Sequence, residues 1–510
     1  MRASKSIVLI TVDCLRADHV GFMGYERPTT PFLDSIAGES FVFPAAIVGG
    51  APTYYSLPTI LASRYPLAMG RDVLGLAPEE PNLASVLKEH GYATAAFSAA
   101  NPYISARFGY EQGFDTFRDF LEEPAAHSQD VSAAIPSKGW ASRLNRVLQR
   151  SRQALGPLGT AYDELYFQYC QRWATPPAKS LDALRRFPAA DVIVDHACKW
   201  LASVGDAPFF LWLHLMDPHA PYYPTDQALA LMGSRVTPFR ARYLNSYWNR
   251  GDLGAGRLAR HRDEIVSLYD AGIRWVDVQM ERLIGTLRTS KTWDNCIFTL
   301  TADHGEEFLD HGGRFHPPSR LMDELIRVPL LIRVPGAGKK EISNSPFSLM
   351  HLAPTLLDAA QIPSSASFQG RNCWEQVRTG TSLDSVAISE CVAGCTNPFR
   401  PEGRLGPRVL SVRESRFKLM LHFDPAAEHL YDLEADPGEQ APLAPAFQKP
   451  VRRRLLEIVG EHLRQSASQR DQQVRMRVRL RELQLEWKKS ADKASSVLSQ
   501  PGSDSFLPPT

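Results

Sequence analysis

SIVLITVDC, residues 6–14, decides the fold. It is a near-continuous apolar run of strand length, rich in β-branched residues, that stops on an aspartate. A run without polar alternation suits a strand covered on both faces, as in the interior of a parallel sheet. The pattern recurs in YATAAFS (92–98), FFLWLHL (209–215), CIFTLT (296–301) and PLLIRV (329–334). Between these runs lie helical patterns, PNLASVLKEHG and IVSLYDAGIRWVDVQMERLIGTL, the second placing Leu268, Ile273, Val276 and Met280 broadly on one face. Strands alternating with helices predict an α/β sandwich with helices on both faces of the sheet.

The texture changes from about residue 385. RVLSVRESRFKLMLHF and AEHLYDLEADPGEQ predict a smaller antiparallel β subdomain over 385–445, after a catalytic α/β domain over 1–384. Helical segments broken by Pro and Gly mark an insertion at 120–185 that shapes access to the site. A helical extension is expected over 446–490, where VRMRVRLRELQLEW carries the stripe Met476, Leu480, Leu483 and Trp487; its arginines read as a solvated face. The Pro/Ser-rich tail 491–510 is expected to be disordered.

Bulk composition narrows the function classes. The formal net charge of the 510 residues is +1, which gives no field for a nucleic acid partner. The 7 cysteines are scattered and odd in number, as expected of reduced thiols in a cytoplasmic protein. Cys391 and Cys395 are close but lack further donors at zinc spacing. Thr11 and Asp13 interrupt the first apolar run and no small-residue cleavage site follows, so it reads as a strand and not a signal peptide. No run is long enough for a membrane span. A homo-oligomer is left open.

In an open α/β sheet, ligands bind beyond the carboxyl ends of the strands. Asp13 follows the first run, and Asp303 with His304 follows CIFTLTA, so the three can converge on one ion. Asn101, in SAANPYI, follows another strand and is read as a donor to the substrate.

These pieces stand in an ordered series: VDCLRADHVGFMGY, TTPFLDSIAGESFVFPAA, APTYYSLPTILASRYP, HLMDPHAPYYP, TADHGEEFLDHGGRFHPPSRLMDELIRVPLLIRVPG and LYDLEADPGEQ. The series, over most of residues 6–440, resembles the sulfatase family of the alkaline phosphatase superfamily. The resemblance implies an alkaline-phosphatase-like three-layer sandwich with a mostly parallel central sheet and the smaller C-terminal antiparallel subdomain. It implies one divalent metal ion, with Asp13, Thr53, Asp303 and His304 as ligands; three oxygens and one nitrogen suit Mn²⁺ best, with Mg²⁺, Ca²⁺ or Zn²⁺ as alternatives. Cys14 stands where many sulfatases place a second carboxylate, and the thiol is read as packing.

Counting back from RYP puts the family's reactive position on Thr53. In sulfatases that residue is a cysteine or serine, oxidised to formylglycine within a Cys-x-Pro-x-Arg signal. Here the window reads Thr53, Tyr54, Tyr55, Ser56, Leu57, so the convertible residue, the proline and the arginine are all missing. A formylglycine hydrate releases sulfate by elimination, a route closed to threonine. A threonine alkoxide can attack phosphorus, and water can then release the phospho-threonine; lipoteichoic-acid synthases are similar in using threonine. The competing reading is a hydroxyl that caps a helix starting near Ser56, with Ser56 as the fallback nucleophile. His219 matches the family's Pro-His-x-Pro, and His316 the His or Lys after the Asp-His pair. Both are expected on nonbridging or leaving-group oxygens, one of them as the proton donor. Arg16 and Arg314 complete the candidate substrate-binding set. Arg16 is read with Asp18 as support behind the site, Arg314 as a reader of substrate charge, and His311 as structural or at the mouth.

The expected function is hydrolysis of a phosphate or phosphonate ester, small or glycan-linked, through Thr53. Sulfate-ester hydrolysis, transfer to an acceptor alcohol and an inactive binding protein are the rivals.

Overall fold

The computed structural model describes residues 4–121, 157–444 and 447–465, apart from loop positions 71–72, 339, 343–344, 382 and 384–385. Most of the expected insertion before residue 157, the Arg-rich stretch near residue 480 and the tail lie outside the described residues.

The apolar runs become a sheet of eight strands in the order Lys340–Glu341, Phe41–Val42, Leu330–Arg333, Cys296–Ala302, Ser6–Val12, Phe209–Leu215, Ala93–Ser98, Thr116–Arg118. Leu330–Arg333 runs antiparallel to both its neighbours; the other pairings are parallel. The three central strands are buried at every position, which explains why their sequences do not alternate. PLLIRV has the same apolar texture as the parallel strands, so its reversed direction was not readable from composition.

Helices form two groups. Arg262–Thr289 packs with Pro31–Ala37, Ala190–Ser203 and Asp226–Leu231, while Thr53–Ala62 packs with Leu83–Glu89 and Leu352–Ala359. In Arg262–Thr289 the residues Ile265, Leu268, Gly272, Val276, Met280, Leu283 and Leu287 are buried, the three-to-four spacing of one helix face. Gly272 is required there, because a Cβ would meet the Asp217 carbonyl oxygen at 2.5 Å.

The C-terminal sheet is antiparallel throughout, Val386–Val392, Arg408–Glu414, Phe417–Phe423 and Ala426–Asp432 in sequence order. Helix Lys449–Gln465 covers it, burying Leu455, Leu456, Val459 and Leu463 against Leu410, Val412, Leu419 and Leu421. The expected extension is therefore helical as far as it is described. This sheet is tied to the catalytic layer by buried Lys418, which reaches Asp323 at 2.9 Å and Glu439 at 2.7 Å. Its first strand also grips the loop before Thr53: the Glu390 amide donates to the Gly49 carbonyl (2.8 Å) and the Ser389 hydroxyl to that of Val48 (2.6 Å). Cys391 and Cys395 are buried in this contact. Cys391 Sγ faces the Pro318 carbonyl, and Tyr54 donates its hydroxyl proton to the Cys395 carbonyl.

Candidate active site

Register brings the first ligands together. Val12 pairs with both Ala302 and Leu215, so Asp13 and Asp303 emerge side by side at the carboxyl ends of adjacent strands. Both are fully buried, as is His304. The two carboxylates and His214 each offer an atom within 4.8 Å of the others. His304 Nε2 lies 3.7 Å from Asp13 Oδ1 and 3.6 Å from Asp303 Oδ2. Its Nδ1 faces the Gly305 carbonyl oxygen at 2.8 Å; that contact puts the ring proton on Nδ1 and leaves Nε2 as an acceptor or ligand.

Electrostatics separate the two acids. Burial pushes Asp13 up, but His219, His214 and His304 around it more than offset this and hold its carboxyl well below the usual range. Burial also raises Asp303, and the neighbouring Asp13 charge adds to it. Asp303 Oδ1 accepts the His304 and Cys14 amides at 2.8 and 3.3 Å, whereas buried Oδ2 has no hydrogen-bond partner. Two facing carboxylates, one with an orphaned buried oxygen beside a bare imidazole nitrogen, fit a divalent cation.

Thr53 is the first residue of helix Thr53–Ala62, whose N-cap is Pro52, a residue with no side-chain group to cap with. The helix therefore starts three residues earlier than the capping alternative requires. Thr53 Oγ1 instead lies 3.2 Å from His304 Nε2, at the end of a helix whose first amides lack intrahelical partners and favour anions. The fallback Ser56 is turned away: its hydroxyl donates back to the Thr53 carbonyl at 3.2 Å.

The two histidines assemble beside this pole. His316 is 4.6 Å from His304 and 5.2 Å from His219 between ring centroids. Its Nδ1 contacts Glu306 Oε2 at 3.0 Å, and Tyr222 donates to the other oxygen of that carboxylate at 2.9 Å. With Nδ1 taken, Nε2 is the nitrogen left for a substrate oxygen. His219 Nδ1 is likewise engaged, by the Ala220 carbonyl.

The three residues of the candidate substrate-binding set all bond to protein groups. Asn101 donates through Nδ2 to Asp13 Oδ2 at 2.8 Å and accepts the Tyr103 amide at 2.9 Å, so both ends of its amide are engaged within the protein. The Arg16 guanidinium bonds to Asp18 at 2.7 and 2.8 Å, to Asp310 at 2.9 and 3.2 Å, and to the Glu306 carbonyl at 2.9 Å. Arg314 donates to the Trp248 carbonyl, pinning the loop before His316 to helix Pro238–Trp248. His311 is structural, paired with Glu324 at 2.6 Å.

Sequence reasoning missed His214 and Glu306. His214 Nε2 lies 3.2 Å from Asp13 Oδ2, and its Nδ1 lies 2.9 Å from Thr11 Oγ1, which accepts from Trp212 Nε1 at 3.0 Å. The available signal was an imidazole inside FFLWLHL, a strand with no wet face to receive it.

Comparison with known proteins agrees with this geometry. The model of the family described as "Sulfatase" matches residues 5–362, and that described as "N-sulphoglucosamine sulphohydrolase, C-terminal" matches 313–469. An arylsulfatase of Clostridium perfringens is 24% identical over 85% of this chain and 89% of its own. The multifunctional alkaline phosphatase superfamily protein PehA of Trinickia caryophylli is 22% identical over 88% and 93%. Among solved structures, phosphonate monoester hydrolase of Agrobacterium radiobacter superimposes with a TM-score of 0.61 at 19% identity, covering 91% of this chain and 95% of that one. Sulfatase-family enzymes bind a divalent metal, and the buried carboxylates and imidazole provide a site for one. With a family model covering most of its length and this site at the ends of its strands, the chain belongs to the sulfatase family of the alkaline phosphatase superfamily and is an ester hydrolase.

Proposed function

We propose that the protein hydrolyses a phosphate or phosphonate ester through Thr53 as nucleophile. The observation that carries this reading is the Thr53 hydroxyl at a helix N-terminus, uncommitted to capping and 3.2 Å from His304 Nε2, in a window without the formylglycine signal.

Asp13, Asp303 and His304 would hold the divalent ion, with Asn101 and His214 fixing the orientation of Asp13. Bound there, the ion would lower the pKa of the Thr53 hydroxyl and offset charge on the nonbridging oxygens. Thr53 Oγ1 releases its proton to solvent and forms the bond to phosphorus while the bond from phosphorus to the ester oxygen breaks. His316 or His219 delivers a proton to the departing alkoxide. Glu306 keeps the His316 ring turned so that Nε2 faces the ester. Water then attacks phosphorus, the Thr53–phosphorus bond breaks, and the hydroxyl is restored.

Sulfate-ester hydrolysis is the second reading, favoured by the arylsulfatase among the relatives. Matched aryl phosphate, phosphonate and sulfate esters separate the two: turnover of the phosphorus esters should exceed that of the sulfate. Thr53→Ala should lose on the order of 10² or more in kcat/KM, about 3 kcal/mol of transition-state stabilisation, and Thr53→Ser should keep measurable activity. Mass spectrometry of the purified protein should show an unmodified Thr53. A faster sulfate ester, an oxidised Thr53, or a fully active Thr53→Ala would overturn the proposal.

A further inference from the structure

We infer that Cys14 is a ligand of the divalent ion, which makes the site an oxygen, oxygen, sulfur, nitrogen set that prefers Zn²⁺ and Co²⁺ to Mn²⁺, Mg²⁺ and Ca²⁺. This replaces the expectation of a packing thiol and of Mn²⁺. It rests on the Asp13, Asp303 and His304 ion site and is independent of whether Thr53 is the nucleophile.

Cys14 is held in the left-handed region, with φ at 61°, a conformation that a side chain with a Cβ rarely adopts unless its surroundings enforce it. Its amide donates to Asp303 Oδ1 at 3.3 Å. In that pose Sγ lies 3.1 Å from Asp13 Oδ1. It also lies within 4.8 Å of ring nitrogens of His304 and His316, and of one of His219. Atoms that share an ion at about 2.0–2.3 Å stand roughly 3–4 Å from one another. Sγ to Asp13 Oδ1 at 3.1 Å, His304 Nε2 to Asp13 Oδ1 at 3.7 Å and His304 Nε2 to Asp303 Oδ2 at 3.6 Å all have that spacing. The independent pointer to a cation is Asp303 Oδ2, fully buried and without a hydrogen-bond partner.

A packing cysteine looks different in this same chain. Cys296 is buried within the central sheet and its thiol meets the backbone carbonyl of Ile297, whereas Cys14 Sγ faces Asp13 and the His316 ring. Those are donors and acceptors, not a hydrophobic lining. On binding, the thiol gives its proton to solvent and the sulfur joins the ion. A thiolate in the set shifts preference toward borderline-soft ions.

The test is titration of the metal-free full chain with Co²⁺, followed by near-ultraviolet absorption from thiolate-to-cobalt charge transfer. One equivalent of Co²⁺ should develop the band in the wild type and in Cys198→Ser, and none should appear in Cys14→Ser. Zn²⁺ at one equivalent should erase the band, while Mn²⁺ in roughly hundredfold excess should not. Cys14→Asp, which restores an oxygen donor and guards against a misfolded serine variant, should move the Zn²⁺ to Mn²⁺ affinity ratio at least tenfold toward Mn²⁺. Thr53→Ala should keep the band even where turnover is lost. Stoichiometric cobalt without the band, no cobalt uptake, a band that survives in Cys14→Ser, or displacement by Mn²⁺ would overturn the assignment.

Discussion

Replacing Asp303 by Asn should stabilise the metal-free protein and abolish its stabilisation by metal. Asp13 and Asp303, both fully buried, place carboxylate oxygens within 4.8 Å of each other. At an effective dielectric constant of about 20, two full charges at that separation repel by roughly 3.5 kcal/mol. The His214 imidazole offsets part of this, so the net relief should be about 1–3 kcal/mol. Asparagine suits the position: its carbonyl oxygen can still accept the His304 and Cys14 amides now bonded to Oδ1. Its amide replaces Oδ2 and can donate toward His304 Nε2, which lies 3.6 Å from that oxygen. With metal at a hundredfold excess over its Kd, the wild type gains about 2.7 kcal/mol from a site that exists only in the folded state, and the variant should gain little. The order of stability therefore reverses between chelator and metal.

Urea unfolding is the assay of choice. The entropy of unfolding scales with length, so for a chain of this size 1 kcal/mol moves Tm by only about 1 °C. The pH dependence carries a second check. Because the folded-state pKa of Asp303 is raised, the stability its protonated form contributes is fully present below the unfolded value of about 3.9 and is lost as pH rises through the folded value. The advantage of Asp303→Asn in chelator should thus vanish below about pH 4 and open above it. A variant less stable than wild type in chelator at pH 7, or one stabilised by metal as strongly as wild type, would refute the paired-carboxylate account.

Other outcomes follow from the same contacts. Asn101→Ala should weaken metal binding by about 10–100-fold, measured by equilibrium dialysis, because it releases Asp13 Oδ2 from its amide donor. His311→Gln should cost about 2 kcal/mol at pH 7 in urea unfolding. Its bond to Glu324 raises His311 to about 9, so that stability is fully present below about pH 6.5 and the gap to wild type should close as pH rises through about 9. Gly50→Ala should destabilise by about 1–3 kcal/mol and lower turnover, since its Cβ would meet the Glu390 carbonyl oxygen at 2.3 Å and Tyr55 Cβ at 2.9 Å, next to the Thr53 turn.

What was legible in the sequence depended on where each interaction partner lay. The strands announced themselves because a strand buried on both faces must be apolar at nearly every position, and the acids that end them stand out against that run. Asp13, Asp303 and His304 were singled out for this reason, and the register of parallel neighbours brings them together. Direction is different: Leu330–Arg333 is as apolar as its neighbours yet runs antiparallel, because burial constrains composition and leaves direction to the connections. Partner choice was the other blind spot. Arg16 and Asp18 can be paired from their spacing, but the second carboxylate on the Arg16 fork is Asp310, nearly three hundred residues away, and nothing local says that the guanidinium is already full. Asn101 and Arg314 show the same limit: no local feature of the sequence says that the fold pairs the one with Asp13 and the other with the Trp248 carbonyl.

Thr53 shows how the two kinds of information combine. The sequence could state what the position lacks, the residues that would make a formylglycine, and it favoured a nucleophilic hydroxyl while leaving a capping hydroxyl as its rival. The competition turns on where the helix begins. A cap must sit outside the first turn so that its oxygen can reach the free amides, and Thr53 lies inside it, after a cis-Pro52 that supplies no side-chain cap bond. The hydroxyl is thereby left to His304 Nε2 and to whatever ligand the buried acids gather. The loop that enforces this placement, Val48 to Gly50, is bonded to the first strand of the C-terminal sheet. That sheet, ordinary β texture in the sequence, is thus part of what places the Thr53 hydroxyl.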